Sequence, residues 1–100
     1  EEIAQILYFE NSGHILRVHL ADGTVLETRK SGQEMKDALD KIAPGQFASP
    51  NKGYLVNLAA VHMIKSDYVE IAGQEISLGK RKYRDFQELY FQFMFTAKQM

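Results

Sequence analysis

Turn-forming residues cut this chain into pieces too short for anything but small elements. Asn11-Ser12-Gly13, Asp22-Gly23, Pro44-Gly45, the stretch from Pro50 to Gly53 and Ala72-Gly73 each interrupt an apolar run. Glycine and proline are the strongest local punctuators of regular structure. Most of what lies between them is strand-forming. Ile3, Ile6, Leu7 and Phe9 mark one strand, and Ile15, Leu16, Val18 and Leu20 a second. The second continues past Asp22-Gly23 into Val25-Leu26. Asp-Gly between two strand-like runs is a strong short-range hairpin signal. One or two strands follow within Phe47–Val61, then Val61–Ile64, Tyr68–Ile71 and a short Ile76–Leu78.

Two windows escape this pattern. Ser31 can cap a helix, and Glu34 three residues later completes a capping box. Met35, Ala38, Leu39 and Ile42 then recur at helical spacing until Pro44-Gly45 stops them. At the far end Tyr83, Phe86, Leu89, Tyr90, Phe93 and Met94 fall on one helix face, while Phe91 and Phe95 lie off it. A helix apolar nearly all round implies burial against the sheet, or contact with another part of a longer chain or a second subunit.

Composition bounds the function. One hundred residues with a 45% hydrophobic share predict one domain over residues 1–100. Without cysteine the chain has neither a disulfide framework nor a cysteine-based zinc site, which is compatible with a cytoplasmic setting. No apolar run reaches the roughly 18 residues of a membrane span. The acidic start, Glu1-Glu2-Ile3, is unlike a signal peptide and opens directly on a strand pattern, so the chain reads as a fragment of a longer one. His14, His19 and His62 have no metal-ligand spacing, and the serines lack a catalytic arrangement with His and Asp. No phosphate-cradling glycine loop is present either, so no enzyme and no cofactor is expected.

Net charge is −1, low for a nucleic-acid binder, yet Lys80, Arg81, Lys82 and Arg84 gather four of the twelve basic residues in one short run. Such local concentration can attract phosphate whatever the total. Asn51 and Lys52 raise a related point: a lysine stands on a sharp turn at the mouth of the hydrophobic run Tyr54-Leu55-Val56. Pro50 and Gly53 should project both residues beyond the sheet. Asn57, inside that run, and the histidines His19 and His62 read as parts of the scaffold.

The order of these blocks resembles the LytTR family of DNA-binding domains, from about Ile3 to about Tyr90. The most specific piece is Gly53–Leu58, "GYLVNL", which matches the family's Ser-Tyr-Leu-Val-Asn block with Gly53 in place of serine. Leu7–Glu10, "LYFE", and Leu78–Tyr83, "LGKRKY", match two further blocks, with Gly79 where serine is common. The resemblance implies a mainly β fold: an elongated arrangement of small sheets with a central amphipathic helix and a C-terminal helix. It implies sequence-specific binding of double-stranded promoter DNA by loops between strands that enter successive major grooves. It also implies the output half of a two-component response regulator, with an N-terminal receiver domain and a sensor kinase elsewhere in the system.

The implied contact residues are His14 in the first loop, Asn51 and Lys52 in the second, and Lys80, Arg81 and Lys82 with Arg84 in the third. Arginine and lysine suit guanine O6 and N7, and asparagine suits adenine. Lys80, Lys82 and Arg84 are more natural phosphate partners. A homodimer on paired sites about 10 bp apart is expected, since the low charge leaves a single domain with modest affinity. The alternative from a different class is a protein-interaction or dimerisation module working through the aromatic C-terminal helix.

Overall fold

The computed structural model describes residues 3–98; Glu1 and Glu2 of the acidic start lie outside the described residues. After a single 3-10 turn (Ile3–Gln5), β1 (Ile6–Ser12), β2 (Ile15–Leu20) and β3 (Val25–Thr28) run as an antiparallel meander. Next come α1 (Gly32–Ile42), the two-residue β4 (Phe47–Ala48) and β5 (Tyr54–Asn57). β5 returns to pair with β1, so β1 is the central strand of a five-stranded antiparallel sheet ordered β3-β2-β1-β5-β4. Another 3-10 turn (Leu58–Ala60) leads into a second sheet of β6 (Met63–Ile64), β7 (Tyr68–Ile71) and β8 (Gln74–Ser77), and α2 (Tyr83–Lys98) follows.

Side-chain alternation explains the layers. On β5, Leu55 faces one way and Tyr54 and Val56 the other, as a period of two requires. Leu55 joins Phe9, Leu16, Val18, Leu20, Leu39 and Phe47 in a core beneath α1. Val56 joins Tyr8, Val69, Ile71, Ile76, Leu78 and Phe86 in a second core under the small sheet and α2. β1 feeds both. Its register shifts between Ile6 and Tyr8, and this bulge lets Ile6 and Phe9, three residues apart, share one face. The five-stranded sheet is thus the middle layer, covered by α1 on one side and by the small sheet with α2 on the other.

The mainly β architecture and both helices match expectation, and the capping box is present in full: Ser31 Oγ accepts from Glu34 N and Glu34 Oε1 accepts from Ser31 N. Three details differ. The first turn is narrower than its composition suggests, because Asn11 and Ser12 stay in β1 and only Gly13-His14 turn the chain. The shape is not elongated: the extents are 32 × 31 × 24 Å with a radius of gyration of 12.7 Å, the value of a compact chain of this length. Stacking the small sheet on the large one, rather than beside it, shortens the molecule. Finally, α2 is buried on one face only. Tyr83, Phe86, Tyr90 and Phe93 pack on the core, whereas Leu89, Phe91 and Phe95 are 45%, 60% and 65% exposed.

Candidate nucleic-acid interface

Each of the three basic or polar connections has a local cause. Gly13 (φ 65°) opens the two-residue β1–β2 turn, and glycine at the first central position is the requirement of a type II′ hairpin. His14 occupies the second position and is exposed. In the second connection Pro50 is fully buried and anchors the chain. Asn51 to Tyr54 then close a tight turn, with Tyr54 N donating to Asn51 O at 3.3 Å. Lys52 is exposed on that turn. The exposed Ser49 hydroxyl donates to Tyr54 O at 2.7 Å and braces the turn.

The third connection precedes α2. Lys82 N donates to Gly79 O at 3.0 Å, and Arg81 sits at φ 66° as the third residue of this turn. That is a type II geometry, in which the third position normally falls to glycine. An arginine held there carries backbone strain of roughly 1–2 kcal/mol. Lys80, Arg81 and Lys82 therefore lie on the turn and only Arg84 lies within the helix; all four are exposed. Asp85 in the first turn of α2 offsets the local mismatch between cations and the helix dipole. Among the described residues, neither Lys52 nor any of these four forms an ion pair.

Hydrogen bonds join the three connections into one unit. Asn11 N donates to Gly53 O at 2.8 Å, linking the end of β1 to the second connection. Gly79 N donates to Pro50 O at 2.8 Å, and Asn51 Nδ2 donates to Ser77 O at 2.6 Å, linking the second to the third. The second connection is thus the keystone, and its neighbours stand on either side of it.

Asn51 departs from the expectation that it projects from the sheet. Its side chain is half-buried and both amide atoms are engaged, Nδ2 with Ser77 O and Oδ1 with Gly53 N at 2.8 Å. With one bond made at each amide atom, the side chain latches the second connection to β8. Asn57 is a scaffold residue, as its place inside an apolar strand implies. At 2% exposure, its Nδ2 donates to Ile6 O (2.8 Å) and its Oδ1 accepts from Ala59 N (3.0 Å) and Gln46 Nε2 (3.1 Å). His19 stacks on Tyr8 (centroids 4.2 Å apart) and its Nε2 meets Glu10 Oε1 at 2.9 Å, again a structural use. Burial raises the phenol of the adjoining Tyr54 above its ordinary value, and the Glu10 carboxylate adds to this.

A cavity of about 180 Å³ lies between the second connection and the start of α1. Lys52, Ser49 and Asn11 line one side, and Gln33 and Lys36 of α1 line the other. The residues from α1 carry no signal in the sequence, because only the docking of that helix brings them here. No group of three His, Asp or Glu among the described residues is placed to hold a metal, and no described helix is long and apolar enough to cross a membrane.

Comparison with known proteins bears on the chain as a whole. The family model for the LytTr DNA-binding domain matches residues 1–91. Among solved structures, a Bacillus cereus domain described as the LytTr DNA-binding domain of a methyl-accepting/DNA response regulator superimposes with a TM-score of 0.74. The match covers 86% of this chain and 81% of that one at 15% identity, a likeness that speaks for the fold. No curated protein matches the chain. With the family model spanning nearly the whole sequence, this chain belongs to the LytTr DNA-binding domain family.

Proposed function

We propose that the chain reads double-stranded DNA in a sequence-specific manner, inserting its three linked connections into the major groove, and so regulates transcription as the single output domain of a two-component response regulator. In the complete system a receiver domain and a sensor kinase would control it. The observation that carries this reading is the hydrogen-bonded joining of the three connections through Gly53 O, Pro50 O and the Asn51 amide. A rigid scaffold carrying exposed polar loops is the usual way to build a recognition surface.

Arg81 is the base reader, its planar fork suited to guanine O6 and N7. His14 and Lys52 reach the groove from the neighbouring turns. Lys80, Lys82 and Arg84 neutralise phosphates and fix the register. Asn51 moves from the reading set to a positioning role. Selection of bound duplexes from a random pool tests the reading. Arg81→Ala should then lose roughly 1–3 kcal/mol on the selected site and relax preference at one base pair, while Lys80→Ala weakens all duplexes alike. Failure to enrich any sequence, or an Arg81→Ala protein with unchanged preference, defeats it.

The exposure of Leu89, Phe91 and Phe95 favours a second reading, in which two copies pair through α2 on adjacent sites. Phe93 packs on the core and is a poor probe, since its replacement by aspartate damages the fold. Phe91→Asp leaves the core intact, and under this reading it lowers cooperativity on paired sites without changing affinity for one.

A further inference from the structure

The cavity under the second connection is bounded by cations from two different elements, Lys52 on its turn and Lys36 on α1. Asn11, Ser49 and Gln33 add polar groups to the lining, over an apolar floor of Phe9, Leu16, Tyr54 and Leu55. Lys36 is one-third exposed, and its Nζ is held by Asp40 Oδ2 at 2.7 Å one helical turn away. Two further cations, Arg29 and Lys30, stand exposed just ahead of the same helix. The carboxylates of this region are engaged within α1: Glu34 closes the capping box, Asp37 accepts from Gln33 Nε2 at 2.9 Å, and Asp40 holds Lys36.

We infer that this cavity is a seat for a DNA backbone phosphate, with Lys36 as a contact alongside Lys52, so that the DNA-facing surface extends from the three connections onto α1. The inference rests on the reading under Proposed function and adds to it a residue of α1. A phosphate drawn to the rim meets Lys52 directly and competes with Asp40 for the Lys36 ammonium. A weak surface pair of this kind gives way readily, because exposed i,i+4 ion pairs contribute little. Asp40 thus works against binding: it neutralises Lys36 in the free protein and adds a negative charge near the seat. A contact here is blind to sequence, because phosphates position a protein without identifying bases.

The test measures affinity against salt concentration for the 100-residue chain on its selected duplex and on a scrambled one. Each neutralised phosphate contributes a slope of about 0.9 in log K against log salt. Lys36→Gln is expected to lower the slope by about that amount and to weaken both duplexes several-fold and equally. Lys36→Arg should keep the slope. Asp40→Asn should tighten both duplexes about two- to threefold. Lys41→Gln, an exposed lysine on the same helix outside the cavity, should change neither. Circular dichroism melting of each variant shows that it is folded. If Lys36→Gln and Asp40→Asn leave affinity and slope unchanged while Arg81→Ala still costs affinity, the phosphate seat is wrong and the three-loop reading stands. If Arg81→Ala also has no effect, the three-loop reading fails as well, and the two failures are told apart.

Discussion

Arg81 combines two demands that a single substitution can separate. Its backbone is in the left-handed region at φ 66°, where a side chain other than glycine is disfavoured by about 1 kcal/mol or more. Strain of this kind persists where the surrounding structure imposes it, and it gathers at functional sites. Arg81→Gly is therefore expected to raise the unfolding free energy by about 1 kcal/mol while removing the preference for one base pair. Chemical denaturation and duplex binding on the same sample check both halves. A glycine variant that is less stable would show that the arginine side chain supports the fold. Residues also mark where sequence reading stops. The scaffold role of Asn57 was legible because a polar residue inside a strongly apolar strand needs partners. The latch formed by Asn51 was not, since its partner Ser77 O is 26 positions away and belongs to the other sheet.

Elements formed where local chemistry was sufficient. The capping box set the start of α1, and the Asp22-Gly23 pair set the β2–β3 hairpin, with Gly23 at φ 92° and Leu20 N donating to Thr24 O at 2.9 Å. The β7–β8 hairpin is less well served. Ala72 (φ 50°) and Gly73 (φ 82°) occupy its two-residue turn, a geometry that favours Asn-Gly. Ala72→Asn should raise stability by about 0.5–1 kcal/mol and leave DNA affinity untouched, read by melting temperature and by titration. Ser31→Ala should cost about 1 kcal/mol through loss of the cap.

Acid separates the two halves of that box. Hydrogen bonds from the Ser31 backbone and side chain hold the Glu34 carboxyl below its usual range, as Thr24 does for Asp22. A folded-state value that is depressed contributes stability above the unfolded value, about 4.3 for glutamate, and loses it as the pH falls through the folded value. The stability difference between wild type and Glu34→Ala should therefore be constant from neutral pH to about pH 5 and narrow on further acidification. A difference that grows in acid would contradict the capping role. What the local signals could not convey was the stacking of two sheets or the half-burial of α2, both of which depend on pairings between distant segments.

At the scale of the whole molecule, a net charge of −1 matters less than where the cations sit. The five-stranded sheet holds the β1–β2 turn beside the Ser49–Gly53 connection, and the small sheet brings the start of α2 against the same connection. Contacts between the two sheets therefore add the third turn to the two that the large sheet already pairs, and weakening those contacts should impair DNA binding even where no contact residue is touched. Leu89, Phe91 and Phe95 of α2 form a separate exposed apolar surface.

Backbone amide shifts of the isotope-labelled chain, recorded while the selected duplex is added, measure the choice between these two surfaces. The linked edge predicts the largest changes at residues 11–14, 49–53 and 79–84, arising together at one stoichiometry. Changes centred on residues 89–95, with the three connections unmoved, would contradict it.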